Sequence, residues 1–134
     1  MSRSDSWIFM GMVGLAVLTH TLRAKATKAP RMSLGQLRDF ARAKGFPDPD
    51  TAAAVAYAES GGRPDIVAPE PRGGPSYGLW QIHQSAHPQY EPFRLLNPDY
   101  NAQAAMAISK NGTDWSAWST FVHGDYLRYM PGNA

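Results

Sequence analysis

The stretch AVAYAESGG, residues 54–62, decides the fold because it closes a helix that the residues before it open. Asp48 is a typical N-cap, and Pro49 suits the first helical position, where its missing N–H costs no hydrogen bond. The helix then runs through DTAAAVAYAES and stops at the pair Gly61-Gly62. We therefore predict a helix that begins at Pro49 and ends just before this glycine pair.

Glu59 is the one charged residue on an otherwise apolar face of this helix. Ala52, Val55, Ala56 and Glu59 are spaced i, i+3, i+4 and i+7, which puts all four on one side. The carboxyl group also lies in the last turn, where backbone carbonyls present partial negative charge. Burial and these carbonyls both disfavour the charged form, so we predict a raised pKa for Glu59. Such a group can act as a general acid near neutral pH. The alternative is an ordinary exposed glutamate at a helix end.

The rest of the body is predicted to be mainly α-helical, with at most a minimal β element. Residues 61–75 contain four glycines and four prolines and are predicted to form a loop. SYGLWQI, residues 76–82, is too short for a helix and is either a strand or an extended turn. Helices with a capping residue at the start and glycine at the end are predicted at 33–44, 48–60 and 97–110.

The first 32 residues form a separate predicted segment, a hydrophobic helix followed by a basic linker, and residues 33–134 form the body. The segment has 17 consecutive uncharged residues, which include the apolar run WIFMGMVGLAVL at 7–18. As a helix these residues reach roughly 25 Å, at the short limit for a membrane span. Residues 7–22 are therefore predicted to anchor the chain in a membrane or to pack against virion subunits. A signal peptide is the third interpretation.

Composition excludes several classes of protein. The chain has 134 residues, of which 43% are apolar, and it has no cysteine, so disulfides, thiol nucleophiles and cysteine-bound zinc are ruled out. Residues 1–31 carry five basic residues against one acidic residue, whereas the remainder carries eight against ten. The basic charge thus belongs to the N-terminal segment, where it suits an anionic membrane surface. The body lacks a basic face, so no nucleic-acid partner is predicted.

Three short motifs resemble, in type and order, those of the lysozyme-like superfamily, which includes goose-type lysozymes, soluble lytic transglycosylases and small domains of phage virions. In that family a helix ends in Glu-Ser, matched here by Glu59 and Ser60. A Ser-x-Gly-Leu-x-Gln-Ile motif follows, and then an Asn before small residues on a buried helix. The matching residues are Ser76, Gly78, Leu79, Gln81 and Ile82, and then Asn101, Ala102, Ala104 and Ala105. The resemblance covers about residues 33–130.

The resemblance implies that Glu59 is the catalytic acid and that the second motif lines a sugar cleft. Gly78 would let the backbone approach a ligand closely, and Gln81 offers both a donor and an acceptor. Tyr77 and Trp80 either face sugar rings or pack in the core. The implied substrate-binding residues are Ser60, Ser76, Tyr77, Gly78, Gln81, Asn101 and Tyr126.

Two features of the family are missing from the sequence. Many lytic transglycosylases orient the acid with a Tyr-Asn pair near the C-terminus, but Phe121 stands at the nearest match, and Tyr126 and His123 are the candidates to replace it. Hydrolysing lysozymes usually need a second carboxylate, for which Asp65 and Glu70 in the loop are the candidates. Transglycosylases manage with one, because the substrate's own C6 hydroxyl attacks. The shortage of well-placed acids slightly favours that chemistry.

His83 and His87 are four residues apart, which is a metal-ligand spacing on a helix. Pro88 disfavours helical geometry at His87, and no third ligand is near in the sequence. We therefore predict neither a metal site nor any other cofactor.

The sequence as a whole predicts a peptidoglycan glycosidase that cuts the β-1,4 bond between N-acetylmuramic acid and N-acetylglucosamine. The alternative is a non-catalytic module that binds glycan strands or builds a virion or envelope assembly. Positive charge after the apolar run would leave a membrane-anchored body in the cytoplasm, away from the wall. A protein delivered with a virus particle avoids this conflict, so a virion location is favoured over an anchor in the envelope membrane.

Overall fold

The computed structural model describes residues 29–69 and 73–133. The apolar helix predicted at residues 7–22, with its membrane, virion and signal-peptide interpretations, lies outside the described residues, and so does Glu70. Within the two described ranges, no helix is long and apolar enough to cross a membrane.

The described residues form four α-helices and one small antiparallel sheet, which confirms the prediction of a mainly α-helical fold with a minimal β element. The helices are α1 (Leu34–Ala43), α2 (Pro49–Ser60), α3 (Pro98–Ile108) and α4 (Ser119–Val122). The strands pair in the order β1 (Val67–Ala68), β2 (Ser76–Tyr77) and β3 (Ile82–His83). Short 3₁₀ helices cover Phe93–Leu96 and Asp125–Tyr129.

The first two helices begin at the predicted residues because their caps are local. Ser33 Oγ accepts the N–H of Gln36 at 3.1 Å, and the Gln36 side chain accepts the N–H of Ser33 at 2.8 Å, which makes a capping box. The Asp48 carboxylate accepts the N–H of Thr51 at 3.2 Å at the start of α2. Gly61, with a φ of 63°, ends α2 in the left-handed conformation that glycine adopts without strain.

The third helix begins after Asn97, as predicted, but ends at Ile108 and not at residue 110. Oδ1 of Asn97 accepts two N–H groups of the first turn, at 2.9 and 3.1 Å. At the other end, the hydroxyl of Ser109 accepts the N–H of Gly112 at 2.9 Å. This side-chain bond gives the backbone an alternative to the helical ladder, and the helix stops before the serine.

The second helix is the centre of the fold. All its residues from Thr51 to Ala56 are buried, so half of its length has no solvent face. Its small side chains let Trp80 approach the backbone, and the indole N–H donates to the carbonyl of Ala52 at 3.0 Å. The same ring stacks on Phe46, with ring centroids 5.3 Å apart. Trp80 therefore packs in the core, and Glu59 lies in the last turn of α2, beyond the buried stretch of the helix.

The turn between β2 and β3 is fixed to α3 by Asn101, whose side chain is fully buried. Oδ1 of Asn101 accepts the N–H of Trp80 at 2.9 Å, while Nδ2 donates to the carbonyls of Tyr77 and Leu95 at 2.9 and 2.8 Å. Gly78 lies directly against this amide. The contact joins the sheet to the third helix and so positions the motif around Gln81.

Gly78→Ala is expected to lower the free energy of unfolding by about 2–5 kcal/mol. Gly78 has a φ of 78°, where a side chain costs about 1–2 kcal/mol. A methyl group there would also lie 2.3 Å from both the Asn101 amide nitrogen and the Leu95 carbonyl oxygen, and such overpacking costs about 1–3 kcal/mol. Urea unfolding followed by tryptophan fluorescence measures the loss. Gly74→Ala is the control, since Gly74 has a φ of 88° but nothing within 4 Å of the added Cβ. Equal losses of unfolding free energy in the two variants would show that contact with Asn101 and Leu95 is not what destabilises Gly78→Ala.

Candidate active site

A cleft of about 200 Å³ opens between the end of α2, the small sheet and the start of α4. It brings together three of the predicted site residues, Glu59, Ser76 and Gln81. The residues that line it are Glu59, Ser76, Gln81, Ile82, His83, His87, Ile108, Ala117, Trp118 and Ser119.

Glu59 forms one wall of the cleft from the last turn of α2, where its side chain is half-buried. Thr120, in α4, donates its hydroxyl to Oε2 of Glu59 at 2.6 Å. A hydrogen bond this short restrains the position of the carboxyl group. The side chain is thus held at the C-terminal end of α2, where the sequence predicts it. The raised pKa of Glu59 stays a prediction.

Ser76 and His83 form a hydrogen-bonded pair in the wall contributed by the sheet. They face each other across the β2–β3 pair, and Ser76 Oγ lies 3.2 Å from Nδ1 of His83. The other ring nitrogen, Nε2, lies 3.1 Å from the hydroxyl of Ser85. His83 therefore has both nitrogens within hydrogen-bond distance of hydroxyl groups.

Gln81 is held in an unusual conformation that presents its amide oxygen. Its φ is 47°, in the left-handed region that costs a non-glycine residue roughly 1–2 kcal/mol. Its Nε2 donates to the carbonyls of Gly78 and Ile66, at 3.0 and 3.3 Å. No residue in 29–69 or 73–133 donates to its Oε1. The oxygen of a residue that lines the cleft is therefore available as an acceptor, and strain of this kind is concentrated at functional sites.

Four other residues that were predicted to bind the sugar do not line the cleft. Their polar groups are bonded within the protein, or the protein itself fills the space beside them. Asn101 has its amide bonded to three backbone groups, so it supports the turn beneath the cleft. Gly78 makes room for that amide and not for a ligand. Ser60 donates its hydroxyl to the carbonyl of Ala56 at 2.9 Å and accepts the N–H of Gly62 at 3.2 Å just beyond the end of α2. Tyr77 is buried, and its ring packs edge-on against Phe93 with ring centroids 6.2 Å apart.

The expected replacements for the missing tyrosine are also placed elsewhere. Tyr126 stacks on Phe121, with ring centroids 4.6 Å apart, and does not line the cleft. His123 is exposed. The hydroxyl that reaches Glu59 comes from Thr120, one residue before Phe121. Sequence reasoning missed this threonine, although its hydroxyl stood next to the position where the family places one.

Asp65, the described candidate for the second carboxylate, is turned to the linker. Its Oδ2 accepts the N–H of Ala29 at 3.3 Å, and it does not line the cleft. Among the described residues, Glu59 is the one carboxylate of the lining. The cleft therefore receives no second acid from the described part of the loop.

His87 lines the cleft although Pro88 prevents it from continuing a helix. Its backbone N–H donates to the carbonyls of His83 and Gln84 at 3.1 and 3.2 Å, so one isolated turn carries it back over His83. Burial lowers the pKa of His87, and the electrostatic interaction with the neighbouring His83 lowers it further. No group of three or more His, Asp or Glu side chains in the described ranges is arranged to hold a metal ion.

The domain is small and helical, with a three-stranded sheet. A carboxyl group lies at the end of its buried helix, and a polar wall lies across a cleft from it. This is the architecture of a lysozyme-like protein. The family model described as a lysozyme like domain matches residues 38–120, which is more than half of the chain. The chain therefore belongs to the lysozyme-like domain family, as the motifs predict. Members of this family are generally glycoside hydrolases or lytic transglycosylases that act on peptidoglycan. No curated protein matches the chain significantly in sequence.

Proposed function

We propose that this chain cleaves peptidoglycan at the β-1,4 bond from N-acetylmuramic acid to N-acetylglucosamine, with Glu59 as the general acid. The observation that carries the proposal is that Glu59 and Gln81 line one cleft. Glu59 protonates the oxygen that leaves with the adjacent sugar, and this weakens the bond to the anomeric carbon. Either water or the muramyl C6 hydroxyl then attacks that carbon.

The wall opposite Glu59 supplies the groups that hold the glycan. Oε1 of Gln81 is suited to accept from the N–H of an N-acetyl group or from a sugar hydroxyl. The Ser76 hydroxyl, which is paired with His83, offers a second polar contact. Trp118 adds an apolar contact, because its N–H is already bonded to the carbonyl of Trp80 at 2.7 Å.

Digestion of purified peptidoglycan by the full chain, followed by mass spectrometry of the fragments, tests the proposal. Fragments that end in anhydro-muramic acid indicate transglycosylation, and fragments with reducing ends indicate hydrolysis. Either product supports the proposed function. Failure to release fragments from walls of several chemotypes would contradict it.

The second candidate function is a non-catalytic module that binds glycan strands or builds a virion or envelope assembly. It is favoured by the single carboxylate in the described cleft lining, since hydrolysing lysozymes usually employ two. Co-sedimentation of the chain with insoluble wall, without release of fragments, would support this function over cleavage.

The proposed location is a virus particle or the cell envelope, with residues 7–22 as the contact to virion subunits or to a membrane. The proposal rests on the sequence alone, namely on the apolar run and the basic residues that follow it. Fractionation of the full chain with purified particles and with membranes distinguishes the two. Recovery of the chain in neither fraction would contradict both.

Thr120→Val is expected to lower kcat about 10- to 100-fold with little change in KM. The variant keeps the side-chain shape but removes a hydrogen bond to a charged group, which is worth about 1.5–3 kcal/mol. Because that bond stabilises the carboxylate form, its loss should also move the alkaline limb of the pH–rate profile to higher pH. Thr120→Ser keeps the hydroxyl and should restore both the rate and the profile. A valine variant that behaves like the serine variant would show that Thr120 does not position Glu59.

A further inference from the structure

Cleavage with water requires a group that takes a proton from the attacking water, in addition to the acid that protonates the leaving oxygen. Glu59 is the only carboxylate among the described residues of the cleft lining, and other described side chains there can also take a proton. Besides Glu59, the described titratable residues of the lining are His83 and His87. A neutral imidazole accepts a proton through its unprotonated ring nitrogen, so each histidine is chemically suited to the task.

The two histidines differ in the hydrogen bonds that their rings make. His83 has Nδ1 against the Ser76 hydroxyl and Nε2 against the Ser85 hydroxyl, so both nitrogens are in use. The ring of His87 has no hydrogen bond to any residue in the described ranges. Its backbone is nevertheless fixed, by the two bonds that its N–H makes within the turn after β3. His87 thus combines a held position on the cleft with a ring that is free to engage a water molecule.

We propose that His87 is the general base of this site and activates the water that hydrolyses the glycan. The inference rests on the proposed function of Glu59. The water oxygen forms a bond to the anomeric carbon while the bond from that carbon to the leaving oxygen breaks. Glu59 gives its proton to the leaving oxygen, and His87 takes one from the water, so protons and electrons balance. Exchange with solvent then restores both groups for the next turnover.

A base at His87 favours water over the muramyl C6 hydroxyl as the attacking group. In transglycosylation a single carboxyl group suffices, because after it has protonated the leaving oxygen it can take the proton of the substrate's own C6 hydroxyl. A separate base is needed only when water attacks directly. The proposal therefore assigns hydrolysis to this cleft and predicts reducing ends, where the shortage of acids in the sequence slightly favoured anhydro ends.

The electrostatic setting agrees with this role. Burial and the neighbouring His83 lower the pKa of His87, so its ring stays unprotonated to a lower pH than that of a free histidine, near 6.5. The described titratable groups on the cleft with it are Glu59 and His83. Hydrolysis should consequently persist below pH 6.5 and fall only when His87 becomes protonated, on the acid limb of the profile.

The test compares release of reducing ends by the wild type, His87→Ala and His123→Ala. Removal of the base should lower kcat about 10²- to 10⁴-fold and abolish the acid limb of the pH profile. Added imidazole should restore part of the activity of His87→Ala, since it fits the space the side chain leaves. His123→Ala is the matched control, because His123 is exposed and does not line the cleft. Circular dichroism and the Tm of each variant report whether the fold is retained.

Four results would overturn the inference, and they differ in whether the proposed function of Glu59 survives. Anhydro ends as the sole product of the wild type would remove the need for a base but keep the proposed function. Reducing ends at an undiminished rate from His87→Ala, or at a low rate that imidazole does not raise, would likewise leave Glu59 in place. Absence of any cleavage by the wild type would overturn both proposals together.

Discussion

Glu59→Gln is expected to lower the rate of peptidoglycan cleavage about 10³-fold, within the 10²–10⁴-fold range typical of a positioned general acid. Glutamine has nearly the same shape, and its amide oxygen can still accept the hydroxyl of Thr120. It cannot give up a proton to the leaving oxygen. Release of soluble fragments from purified wall, measured over time, gives the rate.

The structure makes this variant informative because glutamine keeps the shape of the side chain and lies away from the buried part of the helix. Glu59 is half-buried at the end of α2, and the core of that helix lies in residues 51–56, away from the substitution. The Tm is therefore expected to stay within a few degrees of the wild type. Glu91→Gln is the matched control, since Glu91 is exposed and does not line the cleft. A Glu59→Gln protein that cleaves at the rate of this control would remove Glu59 from the mechanism.

The position of Glu59 was predictable because every signal that sets it is local. The cap at Asp48 and the glycine at residue 61 fix both ends of one helix, and the helical spacing then fixes the face. The placement of Ser76 and Gln81 on one cleft wall was predictable for a similar reason. Both belong to one continuous seven-residue motif, so placing the motif places both residues.

Thr120 could not be predicted, because its contact with Glu59 joins residues 61 positions apart. Spacing along the chain carries no information about such a pair until the fold is known. His87 shows a different failure. The argument that Pro88 prevents a helix was sound, but one isolated turn, closed by bonds to the His83 and Gln84 carbonyls, is enough to bring His87 onto the cleft.

Gly78 and Asn101 show a third kind of failure, in which the residue type suggested a ligand and the structure gives it a packing role. A glycine that admits close approach can admit a side chain of the same protein as readily as a sugar. The amide of Asn101 has the donors and acceptor that a sugar ligand needs, but three backbone groups already use them. The chemistry of a residue is visible in the sequence, whereas the partners that satisfy it are not.

Asn101→Asp is expected to lower the free energy of unfolding by about 3–5 kcal/mol, because it removes one donor group from two buried carbonyls. The carbonyls of Tyr77 and Leu95, which lie 2.9 and 2.8 Å from Nδ2 of Asn101, would face a carboxyl oxygen in the variant. The new carboxyl group is fully buried, so its charged form is disfavoured in the folded state. Its pKa is then higher in the folded than in the unfolded chain. The destabilisation should therefore grow as pH rises through the folded-state pKa and shrink as pH falls below it.

Denaturant unfolding of Asn101→Asp across this pH range measures both the loss and its pH dependence. Gln103→Glu is the matched control, since it makes the same amide-to-acid change on the exposed side of α3 and should cost less than about 0.5 kcal/mol. Because Asn101 ties the turn between β2 and β3 to α3, the sheet wall of the cleft depends on this one amide. An aspartate variant as stable as the control would mean that backbone pairing alone holds the turn, and that the position of Gln81 does not depend on Asn101.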